Sequence, residues 1–364
     1  MIKIIAVGDI MPGGLLSDNP NSIANNNVLK KLISADLRIG TLECALGNEP
    51  TYDPIKVKDR GNVIYAKEKD ISRLKELKID IVSLANNHFF DLGINGAFRT
   101  IEVLKENKIE YLGAGENIEE AEKPIIKYIN NKSIAFLAFC DTEYTNVYYC
   151  NYADKKNPGV NPMTPHHVKN SIRKCKEKYD YVIVLPHWGS EHTFYPNSAI
   201  VKMSRLMVDS GADIILGSHP HRVQPIVRYK NSIIAFSMGN FLFPERLIAP
   251  PKVTYYPTEY LDLNKLPITD GYPIVDQITL KTLPYLARVG MLIDCKLYDS
   301  VNLETTYTYL NNQNTLEFLN KNQVSDIERK LKKIQYLLEM NIYKEYMFIK
   351  SFLIRCFNYL QKKI

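Results

Sequence analysis

The sequence predicts an α/β fold. Short apolar runs, among them Ile2 to Val7, Leu37 to Leu42, Ile79 to Leu84, Tyr181 to Leu185 and Ala212 to Leu216, have the length and the bounding turn residues of buried strands. Segments of helical periodicity separate them, at about residues 68–77, 96–107, 168–178 and 197–210. Several of the runs also stop at a residue able to carry charge or bind a cation, and in α/β sheets the carboxyl ends of the strands are where ligands sit.

Composition sets the class. The chain has 364 residues, 45% hydrophobic and 24% charged, enough for one large domain with additions or for two domains, and ordinary for a globular protein. A net charge of +6 spread over that length does not single out a nucleic-acid partner. Cys44, Cys140, Cys150, Cys175, Cys295 and Cys356 form no Cys-x-x-Cys pair, which excludes a thiolate zinc knuckle or a thioredoxin-type motif, and scattered thiols fit a reducing compartment. The first residues run straight into a strand without the features of a signal peptide, and no apolar run reaches the ~18 residues of a membrane span. The expectation is a cytoplasmic protein.

Taken in order, Ile2 to Val7 is a strand ended by Gly8-Asp9, with a turn at Pro12-Gly13-Gly14. Leu37 to Leu42 delivers Glu43. Ile79 to Leu84 leads into Asn86-Asn87-His88, a poor helix or strand sequence in which an amide oxygen can ligate a cation and an imidazole can move a proton. Pro124 to Ile129 and Ser133 to Phe139 read as a strand pair across Asn130-Asn131-Lys132, followed by a polar, Tyr-rich loop from 141 to 163. Tyr181 to Leu185 ends in Pro186-His187, and Ala212 to Leu216 ends in Gly217-Ser218-His219-Pro220-His221. Pro220 is expected to hold its neighbours extended, so that the imidazoles two apart project the same way. Val223 to Tyr229 and Ser232 to Ser237 form a hairpin turning at Lys230-Asn231. Residues 244–284 are rich in Pro and Tyr with little periodicity and read as an insertion loop over the rim. Val289 to Leu297 returns to strand, and the chain closes in a helical tail from about 320, its last third, Tyr346 to Leu360, carrying Lys350 and Arg355 among apolar residues. That tail is a helix packed on the body, a homodimer contact, or a basic amphipathic helix at a membrane surface.

The polar residues at strand ends are thus Asp9, Glu43, Asn87 with His88, His187, His219 and His221. Two carboxylates, an amide and four imidazoles, brought to one rim by alternating strands and helices, make a donor set for two divalent ions. Cys44, beside Glu43, reads as a small buried hydrophobe rather than a nucleophile.

Val7-Gly8-Asp9-Ile10-Met11, Leu42-Glu43, Ser83-Leu84-Ala85-Asn86-Asn87-His88, Asp91-Leu92-Gly93, Leu112-Gly113-Ala114-Gly115, His187-Trp188-Gly189, Gly211-Ala212-Asp213, Gly217-Ser218-His219-Pro220-His221 and Ser237-Met238-Gly239-Asn240-Phe241 follow one another in an order and spacing that resemble the CapA-type capsule-synthesis (poly-γ-glutamate synthesis) family, a branch of the calcineurin-like metallophosphoesterases, over about residues 1 to 243. The resemblance implies a calcineurin-like four-layer α/β/β/α sandwich of two mixed sheets; that domain is expected over 1–300, with 244–284 inserted, and a helical C-terminal extension, expected over 301–364, lies outside the resemblance. It implies that one or two divalent ions, Mn, Fe or Zn, are bound. Asp9 and His221 would hold the first, Glu43 would bridge, and Asn87, His187 and His219 would complete the second. His88 would be the general acid, with Glu191, Arg222 and Asn240 near the substrate. Met11 stands where the wider superfamily has His, and Thr41 where this family often has Asn. The implied function is a phosphoesterase-type hydrolase acting on a small-molecule or polymer substrate. The alternatives are a γ-glutamyl amide hydrolase or transferase using the same site, and a non-catalytic assembly factor contacting a polymer synthase through the C-terminal helix.

Overall fold

A computed structural model describes residues 1–48, 62–143, 150–257, 261–269, 276–298, 300–340 and 342–350. The chain opens on strand β1 (Ile2–Ile10), then helix α1 (Asn26–Ile33), whose first turn is capped by Asn25 Oδ1 accepting from the Val28 N–H at 3.0 Å. Strand β2 (Leu37–Leu42), helix α2 (Ile71–Glu76), strand β3 (Ile81–Ser83), helix α3 (Gly93–Glu106) and strand β4 (Glu110–Leu112) continue the alternation that the apolar runs predict. β5 (Ile125–Ile129) and β6 (Lys132–Asp141) form the expected hairpin, and Asn130 and Asn131 turn it with φ of 49° and 60°. After β7 (Pro162–Met163) and helix α4 (Pro165–Lys176) come β8 (Tyr181–His187), helix α5 (Ser198–Asp209), β9 (Ile214–Leu216), the hairpin of β10 (Ile226–Tyr229) and β11 (Ser232–Ala235), and β12 (Asn240–Leu242). The last strands are β13 (Val289–Leu297), β14 (Val301–Leu310) and β15 (Leu316–Phe318), before helix α6 (Lys321–Glu339).

Two mixed sheets carry the architecture. The first runs β15-β14-β13-β1-β2-β3-β4, with β12 also paired to β1. The second runs β7-β6-β8-β9-β11-β10, with β5 on the edge of β6. The central pairs β1/β2, β2/β3, β6/β8, β8/β9 and β9/β11 are all parallel, so the carboxyl ends within each sheet point the same way. Strand alternation divides the second sheet between two cores. Ile134, Phe136, Ala138, Ile183 and Leu185 pack with Ile4, Ile39 and Ile81 of the first sheet. Ala135, Leu137, Phe139, Val182 and Val184 face the other way, onto Ile172 of α4, Met207 of α5 and Ile334 of α6.

Three sequence expectations need correction. Strand β1 does not end at Gly8-Asp9; it carries Asp9 within it and reaches Ile10, because Asp9 and Ile10 pair onward with β2 and β12. Gly8 is required at this crossing, since a Cβ there would meet the Gly239 carbonyl oxygen at 1.8 Å. Residues 244–284 are no plain loop. Arg246–Ala249, Val253–Tyr255, Ile268–Thr269 and Thr279–Lys281 build a four-stranded sheet of their own, with 258–260 and 270–275 outside the described residues. The extension is not helical from 301, because the β-branched and aromatic run Val301–Leu310 pairs antiparallel along the whole of β13. The helix itself begins at Lys321, close to the expected 320, and Asn320 caps it by accepting from the Asn322 and Gln323 N–H groups. Residues 343–350 are helical, and the remainder of the Tyr346 to Leu360 stretch lies outside the described residues. No helix among the described residues is long and apolar enough to cross a membrane.

Candidate metal centre

The strand-end residues converge. Asp9 is the penultimate residue of β1, Glu43 follows β2, Asn87 follows β3, His187 closes β8, and His219 and His221 follow β9, so that the first sheet contributes the acids and the amide and the second the imidazoles. Asp9 and Glu43 are 0% exposed and His187 and His219 are 1% exposed. One oxygen, Glu43 Oε1, lies 3.4 Å from His187 Nε2 and 3.5 Å from His221 Nε2. His187 Nε2 is also 2.8 Å from Asn87 Oδ1 and 3.1 Å from His219 Nδ1. Two sets of ligand atoms, Glu43 with His187 and His219, and Asp9 with Glu43 and His221, each fit within 4.8 Å, and Glu43 belongs to both.

The local backbone differs from the sequence expectation. His219 and His221 are not extended about Pro220 but have φ of 93° and 50°. These are left-handed values that non-glycine residues rarely adopt. The loop folds back so that the His219 N–H can donate to Asp9 Oδ2 at 3.2 Å, and the His192 N–H to the Pro220 carbonyl at 2.7 Å. The rings converge through this double kink rather than through strand alternation. Their centroids lie 6.1 Å apart for His219 and His221, and 4.7 Å for His187 and His219.

Hydrogen bonds behind the rings fix which nitrogen faces the cluster. Asn240 Nδ2 donates to the Ala287 carbonyl at 2.7 Å, which turns Asn240 Oδ1 toward His221 Nδ1 at 2.8 Å. Nδ1 must then carry the proton, and the Nε2 lone pair points at Glu43. Asn240, expected near substrate, is instead buried behind His221 with both ends of its amide engaged by protein. Behind His187, the Ser218 hydroxyl, able to donate or accept, lies 2.9 Å from Nδ1, and Thr41 Oγ1 donates to Ser218 at 3.2 Å. Ligand orientation by such partners is usual at metal sites.

The electrostatics fit a cation. Glu43 Oε1, Glu43 Oε2 and Asp9 Oδ1 are buried without a hydrogen-bond partner among the described residues. Carboxylate oxygens left so are strongly unfavourable unless a cation meets them. Burial pushes Asp9 up to about 7, and pushes Glu43 well above the usual carboxylate range, with the charge of Asp9 adding to the effect. It also lowers His219 to about 4 and His221 to about 3, so the imidazoles are neutral and able to ligate. Met11, at the superfamily's histidine position, is buried with its sulfur accepting from the Gly13 N–H at 3.2 Å, so the donor set on that side is Asp9, Glu43 and His221. Cys44 is buried and its thiol is pushed up by that burial, as a small core residue requires.

At the rim, His88 Nδ1 lies 2.7 Å from Asp91 Oδ2, which also accepts the Ile64 N–H at 2.7 Å. Glu191 Oε2 is 3.5 Å from His192 Nε2, and its charge is felt by Glu43, His219 and His221. Arg222 donates to the His221 carbonyl at 2.7 Å and so braces the loop. Sequence reasoning gave no role to Ser218 or Asp91, although both lie inside the quoted motifs; the i, i+3 spacing of His88 and Asp91 is the signal that was available.

Comparison with known proteins agrees over the same stretch. The profile of the family described as "Bacterial capsule synthesis protein PGA_cap" matches residues 3–245. The chain is 32% identical over 287 residues to the capsule biosynthesis protein CapA of Bacillus anthracis, covering 75% of this chain and 69% of that one. It is 31% identical over 245 residues to the PGA biosynthesis protein CapA of Bacillus subtilis (strain 168), covering 66% of this chain and 62% of the relative's length. A Mycobacterium tuberculosis protein described as a "probable polyglutamine synthesis accessory protein" is 26% identical over 190 residues, half of each chain.

Proposed function

Given that the chain belongs to the bacterial capsule synthesis PGA_cap family, we propose that it is a metal-dependent hydrolase of the calcineurin-like phosphoesterase type, working in capsule or poly-γ-glutamate synthesis. The observation that carries this reading is the pair of buried donor sets sharing Glu43, with three carboxylate oxygens left to a cation. Asp9, Glu43 and His221 would hold one divalent ion; Glu43, Asn87, His187 and His219 would hold the other. Divalent ions there supply Lewis acidity and a nucleophilic water at neutral pH.

The protein's own groups do the rest. Asn240 keeps the ligating lone pair of His221 aimed inward, and Ser218 braces the His187 ring at Nδ1. Asp91 holds the His88 ring, whose side chain is 14% exposed and so open to the rim, where it can pass a proton to a departing oxygen. Burial of the cluster excludes bulk water and strengthens each of these interactions.

The test is hydrolysis of aryl phosphate mono- and diesters by the full chain with Mn²⁺, read beside elemental analysis. Turnover that disappears in His187→Ala, together with lost metal, is the expected result. Metal-loaded wild type that leaves every phosphoester intact sinks the proposal. A second reading draws on relatives named for PGA and polyglutamine synthesis, in which the same site acts on a γ-glutamyl amide. Release of glutamate from a γ-linked oligomer, without phosphoester cleavage, would select it. Metal retention with neither activity would select an assembly role beside a polymer synthase.

A further inference from the structure

Among the described residues two arginines, Arg246 and Arg288, are buried, and they are treated differently. Arg288 is 7% exposed and saturated. Its Nε donates to the Leu283 carbonyl at 3.1 Å, its Nη1 to the Leu310 and Asn311 carbonyls at 3.4 and 3.3 Å, and its Nη2 pairs with Glu245. Arg246 is 5% exposed, yet its Nε and Nη1 have no hydrogen-bond partner among the described residues. A buried guanidinium left in that condition is unfavourable, and native structures seldom keep one without a reason.

Its position supplies the reason. Arg246 opens the first strand of the small sheet built by residues 244–284, and its guanidinium lies 5.5 Å from the ring centroid of Phe243. The Phe243 ring lies 5.0 Å from that of His221, so Arg246 stands one aromatic ring away from a candidate metal ligand. Burial lowers Arg246 to about 10, while the charges of Glu43 and Glu191 act in the opposite direction, so both acids lie within its electrostatic reach. Lys281 is its cross-strand partner and is also buried. His192, whose ring is 5.9 Å from that of His221, senses Arg222, Lys281 and Arg246 together. Positive charge has therefore been gathered beside the candidate metal cluster, where it repels a cation, partly offsets the charges of Glu43 and Glu191, and favours a negatively charged ligand.

We propose that Arg246 is a substrate-binding residue, presenting its unpartnered guanidinium donors to an oxyanion group, phosphate or carboxylate, of the molecule that the metal cluster acts upon. The inference rests on the reading of that cluster as a metal site. A planar guanidinium is the side chain best matched to an oxyanion, and the Phe243 face holds its plane. The small sheet, which at first looks like a cover for the rim, would then be the part of the protein that selects anionic substrates.

The experiment is titration of the Mn²⁺-loaded full chain with inorganic phosphate and, separately, with glutarate, in wild type, Arg246→Met and Arg246→Lys, with Mn content and thermal melting measured on each. The expected result is binding of at least one anion by wild type and a loss of about 10-fold or more in Arg246→Met, with Mn²⁺ held as tightly or more tightly, since a nearby positive charge has gone. Arg246→Lys keeps the buried charge but not the planar fork, so it should fold even if Arg246→Met does not and still show weakened binding. Phosphate dependence identifies a phosphoryl group as the ligand, and glutarate dependence a carboxylate. Equal anion affinity in wild type and both variants, or no anion binding by the metal-loaded wild type, overturns the proposal. Phosphoester hydrolysis in the same samples separates the two readings. Unchanged KM with intact turnover refutes only Arg246, whereas Arg246-dependent anion binding without any hydrolysis refutes only the phosphoesterase.

Discussion

Glu43 sets the behaviour of the centre, because it is buried, shared by both donor sets, and accepts no hydrogen bond among the described residues on either oxygen. Replacing it by Gln removes the bridging charge. Glu43→Gln is expected to lower Mn²⁺ affinity by at least about 10-fold while raising the melting temperature of the metal-free protein above pH 7, because an uncompensated buried charge has been deleted. Calorimetric melts with and without Mn²⁺ check both halves. The acids also give a pH dependence. In the metal-free protein Asp9 is raised to about 7 by burial and Glu43 is also raised well above the usual carboxylate range, so their contribution to stability is complete below about pH 4 and is lost as pH rises through the folded values. His219 and His221 run the other way: lowered to about 4 and about 3 by burial, they contribute stability above their unfolded value of 6.5 that is lost as pH falls. Metal uptake has to displace the carboxyl protons, since the imidazoles are already neutral. Mn²⁺ affinity measured by titration calorimetry should therefore climb between roughly pH 6 and 8, with proton release; a flat profile would contradict the assignment.

At the scale of elements, strands act as pointers and loops as clamps. Trp188, directly after β8, donates from Nε1 to the Phe236 carbonyl at 2.8 Å and ties the His187 strand end to the segment following β11. α6 serves the same sheet from outside. Ile327, Leu331, Ile334 and Leu338 recur at helical spacing and are buried, the last two against the outer face of the second sheet. Ile334→Ala should cost about 2–4 kcal/mol in urea unfolding, and a loss near zero would mean that the helix is only loosely attached. The strand-end polar residues were legible because each is marked locally, by an apolar run that stops at a polar residue. The hairpins at Asn130-Asn131 and Lys230-Asn231 were legible from their turn residues. β14 was not, although Val301–Leu310 is rich in Thr and Tyr: its burial is only partial, and what makes it a strand is the long antiparallel ladder to β13. The small sheet around Arg246 was missed for a similar reason, since its strands are three or four residues long or shorter and interrupted by Pro and Tyr.

Across the whole molecule, the centre joins the two sheets: Asp9, Glu43 and Asn87 follow strands of one, His187, His219 and His221 strands of the other. A cation bound there ties together parts far apart in sequence, and a ligand that binds only the folded state stabilises it by mass action. Stripping the protein with EDTA should lower its melting temperature, and restoring Mn²⁺ at about 100 times its dissociation constant should return about 2.7 kcal/mol. Identical melts in both conditions would separate the cluster from metal binding. The sequence by itself determined the alternation of strands and helices and the chemical identity of the candidate ligands, because apolar periodicity and the residues that interrupt it are local properties. Only the tertiary structure decided the left-handed turns at His219 and His221, the His221 tautomer set by Asn240, and the Arg246 donors left without a partner among the described residues. Each of these depends on which groups from distant segments meet, and which do not, after the two sheets have packed.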